Sequence, residues 1–449
     1  MTRILMTKLL LILLVATTQA ATPESYQKLW RDPALNARIE QNIEKYRKSD
    51  ATIVVTDTAG RPIQGASIEA RQTGHEFLFG CNAFVLGQLK PEGMERRYEE
   101  AFLKLFNFAT VPFYWEGTEP NRGELRYEDP ASDFWRRPPP GRFLPWAARN
   151  GITLKGHPLQ WHAYNPKWLP NDPDELRALY RKRFREIADR FAGKIGIWDA
   201  VNESLVCPKT YPLFTPDRAY VAWAFQEIAP LFPKETILMI NEVTSYNFPP
   251  ASDKYFDQIK TLLAGGAEIR GIGFQYHYFR RAALDAFLKS PRYNPSELLN
   301  VYEKFGEFNL PLYITEITIP SAGDGGEPLQ AEVVRDHYRL WFSVPRMAGI
   351  TWWNLGDGTA VKGENEAMGG LLDAELNPKL AYKALDQLIN TDWKTRVSLQ
   401  TDAQGHAQFR GFHGAYEVTV TQNGVSIKRS LHLKKNAPNH WVLEIPFTR

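Results

Sequence analysis

The sequence predicts a (β/α)8 barrel set between two β-rich flanks. Three observations predict it. Between residues 77 and 390, eight short apolar runs alternate with segments of helical character. That span holds no G-x-G-x-x-G or G-x-x-x-x-G-K-[ST] motif, the usual mark of the rival open, doubly wound sheet. Polar and aromatic residues follow directly on the runs, where a barrel presents its chemistry.

The elements follow in chain order. Residues 1–21 read as a secretory leader: Arg3 and Lys8 are basic, Leu9 to Ala16 is apolar, and Thr18-Gln19-Ala20 offers a small-x-small cleavage site before Ala21. An uncleaved anchor is the alternative, but the apolar run is far short of the ~20 residues that span a bilayer. The mature protein is therefore expected to be soluble and exported, periplasmic or extracellular, with no membrane partner. Segment 22–76 predicts a helix over 25–48, a strand over 52–56, a turn at Gly60-Arg61-Pro62 and a strand over 66–70.

The eight barrel runs are 77–81, 108–114, 153–157, 195–201, 236–241, 271–275, 312–315 and 349–353. A helix over 172–192 has cap residues at Asn171-Asp172-Pro173 and a stop at Gly193. Its Leu176, Leu179, Tyr180, Phe184, Ile187 and Phe191 share one face. Segment 391–449 predicts short strands at 397–399, 416–420, 426–433 and 441–445. These strands form one β-sandwich with 50–76, or two separate appendages; both remain open.

Composition narrows the function. The chain has 449 residues and a formal net charge of only +3, which argues against a nucleic-acid partner. Its 2 cysteines cannot make a disulfide scaffold or a four-cysteine zinc site. Whether Cys81 and Cys207 pair is left open. Aromatic residues make up 13%, an amount that serves core, interface or sugar platform alike.

The run ends carry the chemistry. Asn82 follows the first, Trp115 and Glu116 the second. His157 ends the third, with Gln160, Trp161 and His162 next. The fourth and fifth lead into Asn202-Glu203 and Asn241-Glu242. Gln275, Tyr276 and His277 follow the sixth, Glu316 the seventh, and Trp352-Trp353-Asn354 the eighth. Carboxylates among amides and indoles suit glycoside hydrolysis, which needs a proton for the leaving oxygen and a carboxylate facing the anomeric carbon. A zinc hydrolase using His157, His162 and His277 is the rival, but H-E-x-x-H is missing. No cofactor is needed for the sugar chemistry. Glu119 and Glu242 are rival carboxylates; Glu119 fits a helix start better than catalysis.

Six segments carry a resemblance. Gly156-His157-Pro158-Leu159-Gln160-Trp161-His162 resembles the G-H-x-L-x-W-H motif of family 10 glycoside hydrolases. Trp198-Asp199-Ala200-Val201-Asn202-Glu203 resembles their W-D-V-V-N-E, and Ile314-Thr315-Glu316 their I-T-E nucleophile strand. Gly273-Phe274-Gln275-Tyr276-His277 is similar to G-x-Q-x-H, and Asn377-Pro378-Lys379-Leu380-Ala381-Tyr382 to N-P-K-P-A-Y. Trp115, Glu119-Pro120 and Gly123 match W-x-x-x-E-P-x-x-G. The resemblance covers about 77–388 and implies a retaining endo-β-1,4-xylanase on a polysaccharide or oligosaccharide substrate. It implies Glu203 as acid/base, Glu316 as nucleophile, and Asn202 on the 2-hydroxyl of the reacting sugar. His157 and Trp161 would line the glycone side, and His277 would bond the nucleophile with Gln275 nearby. Trp353 would be a stacking platform, with Trp115 a further substrate contact.

The departures fall on substrate contacts. Where the family has E-N-x-M-K-W, this chain has Thr110-Val111-Pro112-Phe113-Tyr114-Trp115, so the sugar-holding Glu, Asn and Lys of the glycone side are missing. Thr318 stands where an aspartate usually orients the histidine, which is expected to weaken the support for His277. Asn354 replaces a glycine, and the later tryptophan of the eighth loop is missing between Gly358 and Gly370. Residues 136–141, Arg-Arg-Pro-Pro-Pro-Gly, are expected to form an exposed loop that shapes the glycone side. A non-xylan β-glycan and a barrel that binds carbohydrate without cleaving it remain the alternatives.

Overall fold

A computed structural model describes residues 22–131 and 134–446. The leader expected over 1–21 lies outside the described residues. Among the described residues, no helix is long and apolar enough to cross a membrane.

The expected single helix over 25–48 is two helices, Glu24–Trp30 and Pro33–Arg47. The break is local chemistry. The Asp32 side chain accepts from Ala34 N at the start of the second helix, and Pro33, with no N–H to lose, opens it. Strands β1 (Lys48–Thr56) and β2 (Ser67–His75) follow.

The barrel strands are β3 (Leu78–Asn82), β4 (Phe108–Pro112), β5 (Thr153–His157), β6 (Ile197–Asn202), β7 (Ile237–Glu242), β8 (Gly271–His277), β9 (Leu312–Thr318) and β10 (Met347–Trp352). They close in the order β10-β3-β4-β5-β6-β7-β8-β9, each parallel to its neighbours. Each coincides with one of the eight apolar runs, because a strand buried on both faces cannot afford polar alternation. Every residue of β4 and β6 is buried. The second run stops short of its expected end at Pro112, and the chain turns at Tyr114 into the short helix Trp115–Thr118. The helix expected over 172–192 is Pro173–Phe191, capped by Asp172 accepting from Asp174 N and Glu175 N. Its Leu176, Tyr180, Phe184, Ile187 and Phe191 are buried on the barrel, each contributing roughly 1.5–3 kcal/mol by transfer from water.

The chain ends with β11 (Arg396–Gln400), β12 (His406–Phe412), β13 (Gly414–Gln422), β14 (Val425–Leu433) and β15 (His440–Glu444). One sheet runs β12-β1-β15 and the other β11-β2-β13-β14, so strands from both ends of the chain interleave. Ile53 and Val55 of one sheet meet Ile68, Val418 and Val420 of the other in a common core. β12 is not among the expected strands, although His406-Ala-Gln-Phe-Arg-Gly-Phe alternates polar with apolar residues; it pairs with β1 and places Ala407 in the sandwich core. Cys81 on β3 and Cys207 after β6 are separate buried thiols, with β4 and β5 between their strands.

Candidate active site

The carboxylates at the ends of β6 and β9 open into one cleft of about 340 Å³. Glu203 directly follows β6, whose register against β7 shifts between Asp199 and Val201. Bulges of this kind re-aim side chains at barrel rims. Glu203 itself takes φ 57°, the left-handed region, which costs a non-glycine residue roughly 1–2 kcal/mol. Its N–H is held by Asn241 O at 2.8 Å. Gln275 Nε2 donates to Glu203 Oε1 at 2.8 Å, and Trp161 Nε1 donates to Oε2 at 3.1 Å. Burial pushes the Glu203 carboxyl above its ordinary value, and the Glu316 charge pushes the same way against the Gln275 bond.

Glu316 is directed the other way. Asn241 Nδ2 donates to its Oε1 at 3.0 Å and His277 Nε2 to its Oε2 at 3.2 Å. Burial alone would raise its pKa; the His157 and His277 imidazoles, with Lys155 behind them, outweigh burial and hold it below the ordinary value. The two carboxyls are thus pushed toward opposite protonation states, the arrangement an acid and a nucleophile need.

A buried charge cluster underlies the pair. Lys155 Nζ donates to Asp199 Oδ2 at 2.8 Å, and His157 Nδ1 meets the same oxygen at 2.7 Å. Burial would raise the Asp199 carboxyl, but Lys155 and His157 hold it low. Gly156 is required beside it, because a Cβ there would collide with the Trp198 ring. Gly273 does the same for Asn241: a Cβ would lie 2.5 Å from its Oδ1. Asn202 Oδ1 accepts from Asn241 Nδ2 at 2.8 Å, and its own buried Nδ2 has no partner among the described residues. A donor left open at this point can serve a sugar hydroxyl.

Thr318 behaves differently from the expectation. Its hydroxyl meets His277 Nδ1 at 2.9 Å, so the histidine keeps an orienting partner. An ionised carboxylate only accepts, so Nε2 carries the hydrogen given to Glu316, and in a neutral ring Nδ1 accepts from Thr318. The aspartate's orienting bond is replaced; its charge is not.

The structure brings Glu203, Glu316, His157, Trp161, Gln275, His277 and Trp353 to one cleft. Trp353 packs edge-on to His157 and His277, at ring separations of 5.6 and 5.9 Å. Trp115 is a correction. It is buried away from the cleft against Trp168 and Tyr180, and its Nε1 donates to Glu119 Oε2 at 3.0 Å. The short helix that follows Tyr114 turns its ring into the core. Glu119 stands at the end of that helix, not at its start, and also accepts from Gly123 N. Glu242 is fully buried, accepts from Ser204 Oγ and Leu205 N, and burial pushes it up to about 8. His162 does not join His157 and His277; it faces a neighbouring pocket with Asn165, Leu169 and Tyr211. The sequence reading missed the roles of Asp199, which lies inside the Trp198–Glu203 motif, and of Asn241, which ends the fifth run. It also missed Tyr114, Tyr164, Phe279 and Glu364, which line the cleft with no motif to mark them.

The 136–141 segment is a second correction. Arg136 is only 2% exposed, where an exposed loop was expected. Its Nη1 donates to Asn354 Oδ1 at 2.5 Å and to Thr359 O. Burial lowers its pKa to about 10, which leaves the guanidinium charged at neutral pH.

Comparison with known proteins gives a consistent result. The model of Glycosyl hydrolase family 10 matches residues 96–388. Endo-1,4-beta-xylanase B of Thermotoga neapolitana is 28% identical over 319 residues, which is 67% of this chain and 85% of that protein. Anti-sigma-I factor RsgI6 of Acetivibrio thermocellus is 26% identical over 403 residues, 88% of this chain; the match spans about half, 47%, of that longer protein. Among solved structures, xylanase 10B from Thermotoga petrophila RKU-1 in complex with xylobiose aligns with a TM-score of 0.59 at 25% identity, covering 71% of this chain and 95% of that one.

Proposed function

The chain belongs to Glycosyl hydrolase family 10, and from that premise we propose that it is a retaining hydrolase of β-1,4-linked, xylan-like glycans. The observation that carries the reading is the opposite displacement of two carboxyls in one cleft, Glu203 upward and Glu316 downward. Glu316, ionised, attacks the anomeric carbon. Glu203, protonated, gives its proton to the leaving oxygen as the glycosidic bond breaks. A glycosyl ester on Glu316 remains. Glu203, now ionised, takes a proton from water, whose oxygen attacks the anomeric carbon and releases Glu316; the sugar leaves with its original configuration. Asn202 serves the 2-hydroxyl, and Trp161 and Gln275 keep the acid/base aimed.

A non-xylan β-glycan is the second reading, favoured by the loss of the glycone-side Glu, Asn and Lys between Thr110 and Trp115. In either case residues 1–21 direct export, 77–390 form the catalytic unit, and 22–76 with 391–449 brace it. Polysaccharide is the partner; nucleic acid and membrane are not.

The test uses Glu203→Ala and Glu316→Ala on a panel of β-1,4-xylan, mannan and glucan, with product anomers followed by NMR. Loss of cleavage in both variants and a retained β-anomer in the wild type support the reading. Wild-type rates in both variants, or an inverted anomer, overturn it. A wild type that binds a glycan and cleaves none points to a binding barrel instead.

A further inference from the structure

The turn that begins at Phe134 does more than fill space. It is fastened to three consecutive loops of the barrel rim. Gln88, after β3, donates from Nε2 to Phe134 O at 2.8 Å and accepts from Arg136 N at 2.7 Å. After β4, Arg126 Nη2 donates to Arg137 O at 3.3 Å, and the Arg137 guanidinium lies 3.8 Å from the Tyr114 ring centroid. After β10, Arg136 Nη1 holds Asn354 and Thr359. These three strands are neighbours in the closed barrel, β10-β3-β4. The family resemblance places the glycone side at this arc, where the family's sugar-holding residues are missing from Thr110 to Trp115.

The fastening continues to the cleft surface. Asn354, pinned by Arg136, donates from Nδ2 to Glu364 Oε2 at 3.1 Å. Glu364 lines the cleft, and its Oε1 carries no hydrogen bond among the described residues. Tyr114, under Arg137, also lines the cleft, and Arg137 reaches Tyr164 at 5.6 Å. The glycone end therefore meets a bolted wall, with a carboxylate oxygen facing the space in front of it.

We propose that this wall closes the glycone end of the cleft, so that the enzyme removes short units from non-reducing chain ends, with Glu364 accepting a hydrogen bond from a hydroxyl that only a terminal sugar possesses. In a β-1,4 chain the 4-hydroxyl is free only at that end; every internal sugar has it tied up in the next linkage. A carboxylate rewards a hydroxyl donor and penalises an ether oxygen, which can only accept. The inference rests on the hydrolase reading above.

The experiment uses the full chain and hexaoses of β-1,4-linked xylose, glucose and mannose, each carrying a fluorophore at the reducing end. A second set has the non-reducing 4-hydroxyl methylated. The expected first labelled products are the tetraose and pentaose, and methylation lowers kcat/KM by roughly 10- to 100-fold, the worth of a hydrogen bond to a charged group. Glu364→Ala is expected to remove that discrimination, bringing free and methylated hexaoses within about 3-fold of each other. A structural role for Glu364 would lower both rates and keep their ratio. Arg136→Ala is expected to shift labelled products toward shorter lengths; should it fail to fold, the wild-type product order still decides. Labelled monose and biose among the first products, or equal cleavage of capped and free hexaoses, overturns the wall while leaving the hydrolase standing. No cleavage of any hexaose or polymer overturns both.

Discussion

Two arcs of the same rim are built in different ways. The arc from β5 to β9 carries its chemistry on strand ends. Asp199, Asn241, Gln275 and Glu316 sit on β6, β7, β8 and β9, where ladder pairing fixes their spacing; Gln275 and Glu316 are direct register partners. The arc from β10 through β3 to β4 carries its polar groups on loops. Arg136 reaches Asn354 across 218 residues of chain and Thr359 across 223. Strand ends hold reacting groups to the tolerance that catalysis needs, and loops let the substrate contacts change without disturbing them. On the proposed function, the contrast teaches that reaction and substrate are set by separate pieces of structure.

Substitutions on the strand-end arc are expected to give the largest effects. Glu316→Ala removes the proposed nucleophile and is expected to cost on the order of 10⁴-fold or more in kcat, measured by reducing-sugar release. Glu203→Ala is expected to cost about 10²–10⁴-fold, and less with a substrate whose leaving group needs no proton. Comparable losses from Arg136→Ala would break the contrast between the arcs.

Stability sharpens it next. Asp199→Ala leaves Lys155 and His157 buried without their carboxylate, and is expected to destabilise by about 3–5 kcal/mol in chemical denaturation. Arg136→Ala on the loop arc removes bonds to neutral acceptors and is expected to cost about 1–3 kcal/mol.

The pH profile follows from the pair. The proposed mechanism needs Glu316 ionised and Glu203 protonated. It is expected to rise as pH passes the lowered pKa of Glu316, below 4.5, and to fall as pH passes the raised pKa of Glu203, above 4.5. A bell with its maximum between these limits is the expected kcat/KM profile.

Glu242, which has no place in the proposed reaction, is expected to act on stability alone. Its carboxyl is held at about 8 in the fold, against 4.5 when exposed. Between those values the folded state binds more protons than the unfolded one, so its contribution to stability declines as pH rises from 4.5 toward 8. Glu242→Gln is expected to flatten the decline of Tm over that window and to change Tm little at pH 4.5. An unchanged slope would show that Glu242 does not titrate there.

The same division explains what the sequence made legible. Barrel strands buried on both faces read as apolar runs, and residues after each run belong to one rim, so Glu203 and Glu316 could be placed together before any coordinates. β12 was passed over because its alternation rests on only Ala407 and Phe409 and is interrupted at Gly411. Trp115 was misplaced because Tyr114 begins a helical turn that rotates the next ring into the core. Arg136 read as an exposed loop because its neighbours Asn354 and Thr359 lie more than two hundred residues away, and no local pattern announces so distant a partner. Thr318 read as a loss because sequence shows the missing charge and not the hydroxyl that meets His277.

The central claim is that Glu316 becomes covalently bonded to the sugar. A 2-deoxy-2-fluoro-β-glycosyl fluoride slows breakdown of that bond and lets the protein be digested and weighed. The account predicts the added sugar mass on the peptide that contains Glu316, and none in Glu316→Ala. The same mass on a peptide containing Glu203, Glu119 or Glu242 would contradict it.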